Sequence, residues 1–125
     1  MPVGLGFALV IVCDSFVIAD WTDRGGTSRE RPIAGLHVHR ADDEAWYVLS
    51  GRLGFRIGEE EREVAAGESI LVTRGTPHSY WNAIPEATRY LLVMTPRIHQ
   101  LIEALHSGER DDYAAIFAEH DSELL

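Results

Sequence analysis

The residues best suited to chemistry lie near the middle of this 125-residue chain, in the run Leu36-His37-Val38-His39 and the segments that follow it. His37 and His39 stand two apart, so on an extended strand they project from the same face. Two neighbouring imidazoles pack poorly in an apolar core but make a good start on a metal site. Glu44 comes five residues after His39, the wrong parity for one straight strand. The Asp42-Asp43 pair can turn the chain, after which Glu44 opens the next strand and faces back inward. Asp42 and Asp43 are themselves alternative carboxylate ligands in a shifted register. His78 begins a run just after the turn signal Gly75-Thr76-Pro77. Three imidazoles and one carboxylate suffice to hold one divalent transition metal (Fe, Mn, Ni, Cu or Zn) with coordination positions left open, as a catalytic or ligand-binding metal requires.

The elements that must position these side chains are short. Between residues 36 and 95, β-type runs occur at Leu36–His39, Ala45–Ser50, Leu53–Ile57, Ser69–Thr73, His78–Trp81 and Thr88–Thr95, separated by Gly, Pro and Asp turn signals. This spacing predicts an antiparallel sandwich or barrel. Two further extended pieces, Phe7–Val12 and Ser15–Ala19, precede a polar, Gly-containing loop over 22–35. From 98 onward the period changes. Ile98, Leu101, Ile102 and Leu105 recur at helical spacing, which predicts an amphipathic helix over 98–107 that stops at Gly108. Asp111 and Asp112 start a second helix that buries Tyr113, Ile116 and Phe117. The chain thus reads as all-β with C-terminal helices over 98–125. His99, His106 and His120 fall among polar neighbours and read as surface histidines.

Strand parity sketches a pocket around the ligands. Trp46 shares the face of Glu44, and Tyr80 and Asn82 share the face of His78. Phe55, Tyr90, Leu92 and Met94 complete the candidate lining. An apolar, aromatic wall of this kind suits a hydrophobic or aromatic small molecule better than a phosphorylated one. Arg56, Arg74 and Arg89 read as surface arginines.

Composition narrows the function classes. A chain with 46 % apolar and 25 % charged residues is one soluble domain's worth, 1–125, with a core large enough to need no disulfide. The net charge is −9, and all eleven basic residues are Arg. That balance argues against nucleic acid or an anionic membrane as partner. Without lysine there is no Schiff base and no Walker lysine. The single cysteine, Cys13, excludes an internal disulfide and a cysteine-rich zinc site. The uncharged run 3–13 is too short to span a bilayer and lacks both a preceding basic residue and a following cleavage site. It reads as a buried or interface strand of a cytoplasmic protein, with Cys13 a reduced, packed thiol. Because that strand has no evident partner in the central region, it is expected to add to a sheet edge and pair two copies into a homodimer. No nucleophile elbow, phosphate-cradling loop or dinucleotide fingerprint is present.

The central region resembles the cupins, small β-barrel proteins of the jelly-roll type. His37, His39, Glu44 and Gly51 fit their first motif, G-x5-H-x-H-x3–4-E-x6-G, with Arg31 in place of the leading Gly. Gly67, Gly75, His78 and Asn82 fit the second, G-x5-P-x-G-x2-H-x3-N, with Thr73 in place of the Pro. Both departures concern turns and neither touches a ligand. The resemblance implies a double-stranded β-helix barrel over 36–95 with a metal held inside by His37, His39, Glu44 and His78. It further implies activity on a small organic molecule, by dioxygenase-type oxidoreduction as in the quercetin-dioxygenase-like cupins, with Glu44 both ligand and proton shuttle. A non-redox, metal-dependent cyclase, isomerase or lyase and a non-catalytic module that binds a small ligand or metal are the alternatives.

Overall fold

The computed structural model describes the chain from Leu5 to Leu125, with side chains from Ala8 onward. Val3 and Gly4 of the uncharged N-terminal run lie outside the described residues. The elements run β1 (Leu5–Val12), β2 (Val17–Asp23), β3 (Ala34–His39), β4 (Glu44–Ser50), β5 (Arg52–Ile57), β6 (Glu60–Ala65), β7 (Ser69–Val72), β8 (His78–Asn82), β9 (Thr88–Met94), α1 (Pro96–His106), α2 (Tyr113–Glu119) and β10 (Ser122–Leu124). The strands form two five-stranded sheets, in the orders β1-β2-β9-β4-β7 and β10-β3-β8-β5-β6. Every pairing is antiparallel. This is the expected double-stranded β-helix.

The core forms where the inward faces of the two sheets meet. Alternation along β2 and β9 buries Val17, Ala19 and Trp21 against Tyr90, Leu92 and Met94, while β4 contributes Trp46 and Val48. The opposite sheet supplies Leu53, Phe55, Val64 and Tyr80. Rings pack across and along the interface: Trp46 meets Phe55 of the opposite sheet edge-on with centroids 5.0 Å apart, and Phe55 stacks on its cross-strand neighbour Tyr80 at 5.4 Å. Such pairs add specificity of geometry to the area they bury.

Turns set the register. Gly51 joins β4 to β5 with φ +87°, and a Cβ there would come within 2.3 Å of Thr88 Oγ1. A side chain is therefore excluded both by conformation and by space. Asn82, at the end of β8, is a buried clamp. Its amide nitrogen donates to Glu86 O at 2.8 Å and to Asp23 Oδ1 at 3.2 Å, while its oxygen accepts from Ile84 N and Thr88 Oγ1. Losing these bonds would strand buried polar groups, each costing roughly 1–3 kcal/mol.

Several boundaries differ from the sequence reading. β6, Glu-Glu-Arg-Glu-Val-Ala, carries no apolar alternation because it is an edge strand with only Val64 buried; its charge blunts the edge against further pairing. Helix α1 starts at Pro96, two residues early, because Thr95 caps it by accepting from Ile98 N and Pro96 needs no amide bond at N1. The C-terminal zone is not wholly helical: Asp121, at φ +56°, turns the chain out of α2 into β10, which pairs with β3. Cys13 is exposed rather than packed, in the β1–β2 turn. β1 lies at the outer edge of its sheet, with Leu9, Val10, Ile11 and Val12 between 44 and 60 % exposed.

Candidate metal centre

The four ligand candidates converge from both sheets. His37 and His39 come from β3, His78 from β8 and Glu44 from β4 of the opposite sheet. His37 and His78 are direct cross-strand neighbours, with ring centroids 4.3 Å apart. Glu44 turns inward with Trp46 and Val48 because it is the first residue of its strand. One potential ligand atom from each of the four residues falls within a sphere of mutual distances no greater than 4.8 Å, and all four side chains are buried. Donor atoms gathered this closely could share one ion after small side-chain adjustments. Asp42 and Asp43 are not part of it: Asp42 lies 3.7 Å from Arg97, and Asp43 is held by Arg74.

The hydrogen bonds of the imidazoles fix their roles. His37 Nδ1 lies 2.6 Å from Gly35 O, and His78 Nδ1 lies 3.0 Å from Thr76 O. A carbonyl only accepts, so both Nδ1 atoms carry hydrogen. His39 Nδ1 lies 2.7 Å from Ser122 Oγ, whose own hydrogen is directed to His120 O at 3.1 Å. Ser122 therefore accepts from His39 Nδ1. All three rings in their neutral form thus turn an Nε2 lone pair toward the interior.

Those lone pairs meet a carboxylate. Glu44 Oε1 is 3.2 Å from His78 Nε2 and 3.3 Å from His39 Nε2. The His39 contact lacks hydrogen-bond geometry, which leaves that buried nitrogen without a hydrogen-bonding partner. Burial pushes the Glu44 carboxyl up, and the opposing effect of His39 and His78, which brings its pKa down to about 2, acts when those rings also carry a proton on Nε2. Burial, followed by the neighbouring His78, pushes His37 down to about 4, so it stays neutral near pH 7. Lone pairs of neutral imidazoles facing an anionic oxygen demand a shared cation, either a proton or a metal ion. The donor set of three nitrogens and one oxygen fits a first-row transition ion.

Three of the four candidates, His37, His39 and Glu44, line a cavity of about 610 Å³. Of the sequence-predicted lining, Tyr80 and Leu92 face this cavity. Trp46, Phe55, Tyr90 and Met94 are in the core behind it, and Asn82 is the loop clamp described above. Tyr80 Oη is bonded to Tyr90 Oη at 3.0 Å. The remaining wall is largely apolar and comes from elements the strand pattern did not implicate: Trp21 of β2, Ile33 of the loop, and Leu101, Leu105 and Phe117 of the helices. His106 also lines the cavity, half-buried rather than at the surface; His99 and His120 are likewise only partly exposed. Arg56, Arg74 and Arg89 are committed outside the cavity, to Gly58 O, Asp43 and Asp20. Ser122 had no signal in the sequence, since its role arises only from the pairing of Ser122 with His39 across β10 and β3.

Comparison with known proteins points the same way. The family model described as "Cupin domain" matches residues 28–94. An uncharacterized protein of Streptomyces coelicolor is 34 % identical over 74 residues, covering 59 % of this chain. The match covers 63 % of that relative, less than two thirds of its length. An uncharacterized Klebsiella pneumoniae protein with a double-stranded β-helix domain superposes with a TM-score of 0.63 at 24 % identity, over 77 % of this chain and 75 % of the other. The iron(II) form of HppE superposes with a TM-score of 0.61 at 18 % identity, over 72 % of this chain and 49 % of the other. Both structural likenesses concern the fold.

Two outcomes are expected from this geometry. Ser122→Ala removes the acceptor that orients His39, and metal affinity should fall by roughly 10–100-fold. Competition with a chelating dye measures this, and unchanged affinity would refute the role. The second outcome concerns metal-free protein. His37 protonates near pH 6.5 when unfolded but only near 4 when folded. Between those values the unfolded chain binds the extra proton, so acid favours unfolding. Stability in the presence of chelator should therefore fall as pH drops from 6.5 toward 4, and His37→Gln should flatten that slope. Denaturant titrations between pH 6.5 and 5 read it, above the range in which Glu44 contributes.

Proposed function

The chain belongs to the cupin family, and on that footing we propose that it is a metal-dependent cupin acting on a small organic molecule, with dioxygenase-type oxidoreduction as its reaction. The observation that carries this reading is the convergence of three Nε2 lone pairs and the Glu44 carboxylate, with His37, His39 and Glu44 on the wall of a ligand-sized cavity. His37, His39, Glu44 and His78 would hold one divalent ion. Bound there, a redox-active ion supplies a site at which an oxygen-bearing substrate and dioxygen react. The protein's part is to bind, orient and exclude water. His37, His39 and Glu44 face the cavity, so a molecule bound there would lie against the residues that would hold the ion. Glu44, in this reading a ligand, would also carry a proton to or from that molecule. Tyr80 lines the cavity with its hydroxyl held by Tyr90, which fixes the ring at the wall. The HppE structures contain iron(II) and cobalt(II) in that protein, on a related fold. Three imidazoles and a carboxylate serve zinc equally well, which is the opening for Lewis-acid chemistry without electron transfer.

We further propose that two copies pair through β1. Its four consecutive exposed apolar residues lie on an unpaired sheet edge, and Phe16 beside them is 41 % exposed. Such an edge is a template for another strand.

Metal analysis of protein purified without added metal, followed by oxygen consumption over flavonols, catechols and diketones, tests the function. Oxygen uptake that disappears in His78→Ala is expected. Stoichiometric zinc with no uptake would replace the oxygenase with a Lewis-acid enzyme, and no metal under any loading would leave a binding module. For assembly, light scattering should find a dimer that Val10→Asp converts to monomer; a monomeric parent chain would end that proposal.

A further inference from the structure

The cavity also has something to say about what enters it. Resting on the metalloenzyme reading for the ligand's polar end, we propose that the site takes a compact hydrocarbon-bodied molecule. Its polar atoms are gathered at one end, it carries at most one negative charge, and its apolar body lies beneath the helices α1 and α2.

The distribution of polarity along the wall supports this. His37, His39 and Glu44 form one clustered polar patch of the wall. Away from them the barrel contributes Trp21, Ile33 and Leu92, and the helices contribute Leu101, Leu105 and Phe117. Phe117 packs edge-on to His37 with centroids 5.7 Å apart, so the apolar wall begins directly beside a ligand. Tyr80 has its hydroxyl engaged by Tyr90. His106 is turned edge-on to Trp21 at 6.2 Å, and burial holds its pKa below the usual histidine value. A polyhydroxylated ring would leave several hydroxyls unmatched on such a wall, at a cost that grows with each.

Charge gives the second limit. The chain contains no lysine, and among the described residues none of its eleven arginines lines the cavity. A divalent ion beside one carboxylate leaves a single net positive charge. That neutralises one phenolate or enolate oxygen and no more. A phosphate or sulfate ester, desolvated against leucine and phenylalanine, has no counter-charge there. The cavity volume, about 610 Å³, accommodates a molecule the size of a substituted bicyclic ring.

The test uses the full chain, stripped of metal with chelator, and the uncharged fluorophore N-phenyl-1-naphthylamine, which brightens when desolvated. Saturable binding at the cavity is expected. 1-Naphthol should displace the probe, and 1-naphthyl phosphate should compete at least about tenfold more weakly. Leu105→Arg places a cation on the half-buried wall. It should weaken probe binding by about tenfold or more and reverse the preference toward the phosphate. Val10→Asp should change neither, which separates the cavity from the apolar β1 edge. Absence of saturable binding, equal competition by the phosphate in the parent chain, or probe binding that follows Val10 rather than Leu105 overturns the inference. Metal content is measured on separate, unstripped protein. Naphthol selectivity in a chain that takes no metal sinks the metalloenzyme reading and leaves the apolar cavity standing. Metal with no selectivity does the reverse.

Discussion

The centre of this molecule is an arrangement of lone pairs that is unfavourable without a cation. Three imidazoles are fastened through Nδ1 to Gly35 O, Thr76 O and Ser122 Oγ, so each neutral ring presents Nε2 inward. Two of those nitrogens crowd one oxygen of Glu44 at 3.2–3.3 Å. Taking a carboxylate out of water costs several kcal/mol unless a partner compensates it. Here the candidate partners are nitrogens whose protons are already directed elsewhere. A cation at this point, a proton or a metal ion, resolves both problems together, and the donor set of the four residues fits a metal.

The rest of the fold follows from having to bring those groups together. Histidines on one sheet and a glutamate on the other converge only if the two sheets pack face to face at a fixed register. The aromatic layer of Trp46, Phe55, Tyr80 and Tyr90 sets that separation, with Trp46 bridging to both Phe55 and His78. The turns at Gly51 and Gly75 then fix where each ligand strand begins. Gly75, at φ +79°, donates its N–H to His39 O at 2.8 Å, so the loop leading into His78 is tied to the strand that carries the other two histidines.

The C-terminal segment serves the site in two ways. Its helices line the cavity with leucine and phenylalanine, and its last strand places Ser122 behind His39. Pairing of β10 with β3 holds that strand, with backbone bonds from Arg40 N to Asp121 O and from Leu125 N to Leu36 O and ion pairs of Arg40 with Glu123 and Arg97 with Asp121. Changes in the cap therefore reach a ligand through a short, rigid path. Ligand orientation and the character of the cavity wall are consequently coupled properties of the same thirty residues.

The sequence by itself indicated the candidate ligands and most of the strands. His37, His39 and His78 stand out through strand parity and turn chemistry, which are local, while Glu44 is preferred over Asp42 and Asp43 through the spacing of the cupin motif. The alternating burial of β4 and β9 was legible through the same strand parity. What the tertiary structure decided lies beyond such local rules. β6 has a charged surface because it is an edge strand, and being an edge is a fact about neighbours. The serine behind His39 is 83 residues away in the chain. Trp46, Phe55, Tyr90 and Met94 share parity with pocket positions, yet parity assigns only an inward face. Whether an inward face meets the opposite sheet or an open cavity depends on where the helices pack. That is settled by packing between segments remote in sequence, which no local pattern encodes.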